Sequence, residues 1–287
     1  MKKIIFALIL VFTLASAGLA RAFSTGGFQN PYGIAVDPKG GFIYVSNVNG
    51  LPNARDGNGF ISRLKGDGTV DKMRFIDGAS RDVSLNAPKG MAIRDTTLYV
   101  ADIEKLHAFD LTTGRFLFDI NFGDLPTQHF YGVTLGPDDS LYVADGPAGT
   151  VWRVEIPRMH EVTTFATGME LGQPHDVCWF PARQFFMVAG WNSGQIVAFD
   201  RSGKRQAVPG LFLRTLEGLV SDDFGNMYVS STALSAVYRT AQNFALYPFA
   251  LGQKTPAGLA FNRSAGEIIA ASFDGNTVQS FPVPPVQ

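Results

Sequence analysis

The chain has 287 residues, of which 46% are hydrophobic and 17% charged, with 31 glycines, 24 phenylalanines, one cysteine and a formal charge of −1. One cysteine excludes an internal disulfide framework, and a mild charge without runs of like sign argues against a nucleic-acid groove or an anionic-membrane patch. Many glycines in an apolar chain point instead to a large core interrupted by tight turns.

The first residues read as an address rather than as structure. Lys2 and Lys3 precede an apolar run over residues 4–15, and Ala15-Ser16-Ala17 and Ala20-Arg21-Ala22 are two small-residue cleavage patterns. Cleavage after Ala22 is expected; it removes Lys2, Lys3 and Arg21, brings the formal charge to −4 and leaves 23–287 as the mature chain. The apolar run is shorter than the roughly 20 residues a membrane span needs. The sequence therefore predicts a signal peptide and a periplasmic or secreted protein with no membrane span and no nucleic-acid partner.

From residue 30 onward one phrase recurs: an apolar or aromatic residue, a glycine, alternating apolar residues, a turn and a second short strand. The copies are NPYGIAVDPKGGFIYVSN from Asn30, NAPKGMAIRDTTLYVAD from Asn86, QHFYGVTLGPDDSLYVAD from Gln128, GQPHDVCWFPARQFFMVAG from Gly172, LEGLVSDDFGNMYVSS from Leu216 and TPAGLAFNRSAGEIIAAS from Thr255. Their marker residues, Gly33, Gly90, Gly132, Asp176, Gly218 and Gly258, are spaced by 57, 42, 44, 42 and 40 residues. A period of ~40–45 residues carrying four short strands is that of a propeller blade. Within the third copy, Leu141 and Val143 alternate with Tyr142 and Ala144, and a third strand follows over 150–154. No segment keeps a helical period. The expected fold is thus all-β, a six-bladed β-propeller occupying 23–287 as one domain.

In the sixth copy, strands are expected at 268–271 and 277–281, after which Pro282, Pro284 and Pro285 oppose an ordinary fourth strand, since proline cannot donate to a ladder. Residues 22–28 are predicted to supply that strand and close the ring, which removes an exposed edge.

In such a ring, the residue before each marker and the residue leaving each second strand surround one mouth of the central channel, the natural place for a site. The first set is Tyr32, Lys89, Tyr131, His175, Glu217 and Ala257; the second is Asn47, Asp102, Asp145, Asn192, Ser231 and Phe273. Tyr32, Lys89, Tyr131 and Asn192 are candidate ligand-binding residues, and His175 and Glu217 are the candidates for chemistry. Asp102 and Asp145 end a Tyr-Val-Ala-Asp strand, where a carboxylate commonly accepts backbone N–H bonds from a turn. Twelve residues separate Asn47 from Phe60, against four between Asp145 and Thr150, so the first blade carries a polar loop on this face. A plain loop is expected there, with a calcium wrap or a lid as alternatives.

The pattern P-x-G-[IMLV]-A-x-[DN] followed by [LI]-Y-V-[AS]-[DN] resembles the NHL-repeat propellers and, more loosely, the senescence marker protein and gluconolactonase family, over about residues 23–281. The NHL resemblance implies a binding module for a small molecule, a peptide or an envelope protein; the lactonase resemblance implies a metal-dependent hydrolase or lyase holding a divalent cation such as Ca²⁺. Glu217-Gly218 matches the Glu-Gly element of the lactonase metal site, with Asp145 or Asn192 as a second ligand and His175 as base, although no Asn or Asp precedes a marker glycine. The segment Pro174-His175-Asp176 is also similar to the Pro-His element of peptidyl-α-hydroxyglycine α-amidating lyases, which present three such histidines to zinc; His107, His129 and His160 do not stand at matching positions. Virginiamycin B lyases are propellers of this broad kind too, but their repeat count and paired histidine and glutamates are not reproduced. No G-x-S-x-G, Cys-x-x-Cys or phosphate loop is present.

Overall fold

The computed structural model describes residues 22–39, 41–80, 83–241 and 243–284, so the expected signal peptide lies, but for Ala22, outside the described residues. Each copy of the repeat folds into a four-stranded antiparallel sheet, and six such blades form the ring. The innermost strands are Pro31–Val36, Pro88–Arg94, Phe130–Leu135, Pro174–Phe180, Leu216–Ser221 and Pro256–Asn262. The third strand of the third blade spans Thr150–Glu155, one residue longer than expected. Two single-turn 3₁₀ segments, Ile156–Arg158 and Met169–Leu171, are the helical elements among the described residues.

The ring closes as the sequence predicts. Ser24–Gly26 pairs with Thr277–Pro282, Ser24 opposite Gln279 and Gly26 opposite Thr277, and becomes the outer strand of the last blade. The Phe23 and Ser280 residues extend the seam: Phe23 N–H donates to Ser280 Oγ at 3.0 Å, and Ser280 N–H donates to Phe23 O at 3.0 Å. Phe28 is then fully buried against Ile269, Ala271 and Val278.

The period-2 alternation places apolar residues on both faces of every blade, so the core is not one mass but six clusters, each between neighbouring blades. Tyr44, Phe75 and Phe109 fill the gap between the first two blades, and Tyr142, Phe165 and Phe186 the gap between the third and fourth. Cys178 is buried in the cluster between the fourth and fifth blades, and burial pushes its thiol well up, so it stays protonated.

The marker glycines have a steric cause. A Cβ on Gly33 would overlap the Lys89 carbonyl, one on Gly90 the Tyr131 carbonyl, one on Gly218 would lie 2.5 Å from Ala257 O, and one on Gly258 2.6 Å from Tyr32 O. At these four markers the blades thus touch backbone to backbone around the axis, where no Cβ fits. Two serines stitch this ring: Ser46 Oγ accepts from Gly33 N–H at 2.7 Å and donates to Lys89 O at 2.7 Å, and Ser230 repeats both bonds with Gly218 and Ala257.

Candidate functional site

Every innermost strand breaks register at its marker, for example between Pro31 and Ile34 or Phe130 and Val133. A bulge re-aims the residue it contains. At one mouth of the channel, Tyr32, Tyr131, His175 and Glu217, from the first, third, fourth and fifth blades, line a cavity of about 330 Å³ together with Pro52, Trp191 and Phe273.

Glu217 is the hub. Its Oε2 accepts the Tyr32 hydroxyl at 2.5 Å and lies 3.0 Å from His175 Nδ1, both contacts buried. A carboxylate partner assigns a proton to Nδ1 of His175, and in that tautomer Nε2 carries the lone pair. The Tyr32 hydroxyl is held protonated, its pKa raised by burial and then by the Glu217 charge. Rings continue outward as a stack: His175 lies 3.8 Å from Tyr131 and 4.8 Å from Trp191, and His129 lies 4.9 Å from Tyr131. Burial, Glu217 and Asp145 together push the Tyr131 hydroxyl up to about 12, so it is a proton donor at neutral pH.

A second cavity of about 410 Å³ occupies the channel on the far side of Tyr32, His175 and Glu217, and runs past Asp176 and Cys178 to Trp179 and Arg263. These three residues therefore form a septum across the axis. Below it, Asp176 stands where the other blades have glycine, accepting Leu219 N–H at 2.7 Å and Val177 N–H at 2.9 Å. Burial pushes its carboxyl up to about 7 against those two bonds. An acid whose folded pKa is raised binds more protons folded than unfolded between about pH 4 and 7, so its contribution to stability is lost as pH rises through that window. Melting curves of Asp176→Asn are expected to lose this component: the wild type, measured against the variant, should destabilise from about pH 4 to 7. A difference independent of pH would mean the carboxyl is already ionised in the folded protein.

The other expected site residues land elsewhere. Lys89 is fully buried and does not line the cavity: its amine lies 2.6 Å from Pro52 O, 3.3 Å from Ala87 O and 2.7 Å from His129 Nε2. Burial pulls Lys89 down to about 7 and His129 to about 4, the latter also repelled by Lys89. The bond to Pro52 ties the first-blade loop over the mouth, and the exposed pair of Arg55 with Glu104 pins its middle, so this polar loop overhangs the cavity. Asn192 is exposed in the turn after Phe185–Gly190. Register explains the slip: Asp102 pairs with Pro88, Asp145 with Phe130 and Gly190 with Pro174, so Gly190 is the equivalent leaving residue and Trp191 enters the cavity in place of Asn192.

Asp145 serves its turn. Its two oxygens accept Gln128 N–H, His129 N–H, Ala148 N–H and the Trp152 indole at 2.9–3.3 Å. Asp102 does the same for Asn86 and Ala87, and Asn47 for Gln29. The residues present do not fit a cation bound by Glu217 and Asp145, since Asp145 is committed to backbone donors and Glu217 Oε2 to Tyr32 and His175. Among the described residues no group of three or more His, Cys, Asp or Glu is placed to hold an ion.

No family model matches the chain, and no curated protein matches its sequence. Solved structures match its fold. A catalytically inactive virginiamycin B lyase from Staphylococcus aureus with Quinupristin is 14% identical, covers 92% of this chain and 99% of its own, and superposes with a TM-score of 0.62. A streptogramin B lyase is 10% identical over 93% of this chain and 99% of its own, TM-score 0.64. An auxiliary nutrient binding protein from Bacteroides thetaiotaomicron is 10% identical over 88% of this chain and 69% of its own, TM-score 0.67. At such identities the likeness is one of fold, and it carries neither the NHL nor the gluconolactonase resemblance.

Proposed function

We propose that the protein is an exported propeller that binds a small ligand in the mouth cavity of its channel. The observation that supports this most is the convergence of Tyr32, Tyr131, His175 and Glu217 from four separate blades on one cavity of about 330 Å³. A channel needed only for packing can be lined by small residues, as Ala257 lines it in the sixth blade. A half-open hollow of this size with four aromatic rings and a few convergent polar groups suits a small molecule better than an envelope protein or a peptide. The leader-like residues before Phe23 support export, and no helix among the described residues is long and apolar enough to cross a membrane. The fold neighbours include a lyase and a nutrient-binding protein, so the scaffold accommodates both kinds of use.

A thermal-shift screen of small molecules tests this reading. A ligand at a hundred times its Kd stabilises the native state by about 2.7 kcal/mol, and the shift should vanish in both Trp191→Ala and Glu217→Gln. Hits that shift wild type and both variants equally would place binding elsewhere.

A second reading is a hydrolase or lyase with His175 as base, favoured by the Glu217 bond that leaves His175 Nε2 free. Its metal-dependent form requires Glu217 to release Tyr32 and His175. Chelator-stripped protein given Ca²⁺, Mg²⁺, Zn²⁺ or Mn²⁺ in turn is therefore expected to keep its Tm. A rise with one ion that disappears in Glu217→Ala would establish the metal-dependent form instead.

A further inference from the structure

The lining of the mouth cavity has an unusual charge balance. Glu217 is its one acidic residue, and neither Lys nor Arg lines it. Lys89, the cation nearest to it along the chain's repeat, is drawn out of the lining and held under the first-blade loop by the carbonyls of Pro52 and Ala87 and by His129. The aromatic residues Tyr32, Tyr131, Trp191 and Phe273, from four blades, stand among the ten other lining residues and bring four rings to the wall. Two of these rings already attend a cation, because Lys89 Nζ lies 5.1 Å from the centre of Tyr131 and 5.9 Å from that of Tyr32. Glu217 Oε2 touches Tyr32 and His175, and its charge acts on both tyrosines, so the field of the lining itself is negative. Such a field repels an anionic ligand and attracts a cationic one.

Resting on the reading of the mouth as a ligand site, we infer that its ligand is an organic ammonium cation: a primary or quaternary amine whose charge sits above the Glu217 carboxylate, inside the aromatic wall. Trp191 is the strongest single ring for this, since indole gives the largest cation–π attraction. Desolvation inside a cavity strengthens both the carboxylate and the ring contributions. At the same lining Gln173 brings a side-chain amide, and Thr232 and Thr255, whose hydroxyls donate to Thr215 O and Asp274, can accept from a hydroxyl on the ligand's tail.

The experiment compares choline with 3,3-dimethylbutan-1-ol, its uncharged isostere, by calorimetric titration of the mature protein, with the fragment screen described above run in parallel. The expected result is saturable choline binding at least about tenfold tighter than that of the isostere. Glu217→Gln and Trp191→Leu should each lose about tenfold in choline affinity, with Phe212→Ala, on the rim of the fourth blade, unchanged as a control. Added sodium chloride should weaken choline and leave the isostere unaffected. Equal affinity for the two compounds, or choline binding that survives both mouth variants, would overturn the inference. So would absence of choline binding while neutral fragments bind in a Trp191-dependent way, an outcome that keeps the mouth as the site. If neither choline nor any fragment binds there, the inference falls together with the reading beneath it. Circular dichroism of both variants separates lost binding from lost folding.

Discussion

Alanine at Gly90 should lower the melting temperature by about 10 °C, more than any single substitution at the channel mouth. The added Cβ meets the Tyr131 carbonyl, the Val133 amide at 2.6 Å and the Gly132 Cα at 2.7 Å. All three belong to the backbone of the next blade, so no rotamer change relieves the overlap. Two blades must separate at the axis, where the inter-blade clusters are anchored. Overpacking that displaces backbone costs about 1–3 kcal/mol, with a rigid backbone-to-backbone overlap at the upper end, and each kcal/mol is worth about 2–4 °C in a chain of this size. Gly210 is the control: a Cβ there has nothing within 4 Å, and its alanine variant should melt within about 1–2 °C of wild type. A Gly90→Ala protein that melts like the control would mean the ring is loose at its centre.

Removing residues 23–29 should do more damage still, either abolishing the cooperative transition or lowering it by about 15 °C or more. The deletion takes away the outer strand of the last blade, both Phe23–Ser280 hydrogen bonds and the buried ring of Phe28. Truncating a buried phenylalanine alone costs about 3–5 kcal/mol. It also exposes the Thr277–Pro282 edge, which becomes free to pair with another chain, so aggregation is the expected fate of the unfolded material. Phe28→Ala separates the two contributions, keeping the strand and losing the ring. A cooperative melt of the truncated protein within a few degrees of wild type would show that the ring does not depend on this seam.

The propeller was legible because its physical causes repeat. A glycine is required wherever two backbones touch at the axis, and period-2 apolar residues are required wherever blades face one another, so both recur six times with one exception. The closing strand was legible from a deficit, the prolines at 282, 284 and 285. The site was legible in half. Counting one residue back from each marker finds Tyr32, Tyr131, His175 and Glu217, because the bulge at each marker aims that residue at the mouth. Lys89 obeys the same count yet leaves the lining, because Pro52 from an insertion with no counterpart in the other blades offers its amine a carbonyl. Asn192 lies two positions beyond the equivalent residue: the fourth blade ends its second strand in Gly190, where the first three end in Asn or Asp, so the polar cue is missing there. Trp191 went unseen for the same reason. Asp176 was visible as the one marker that is not glycine, but nothing in the spacing shows that its carboxyl reaches across to Leu219 of the next blade.

The account rests on the channel mouth being the place where this protein meets its ligand. The direct test is a crystallographic fragment soak of residues 23–287, using amines and matched neutral compounds. Ligand density is expected in the cavity beneath Pro52, in contact with Trp191 and Glu217, and none there in crystals of Trp191→Ala. Density confined to other surfaces, such as the gap beside the short outer strand Arg205–Gln206 of the fourth blade, with the mouth left to solvent, would contradict it.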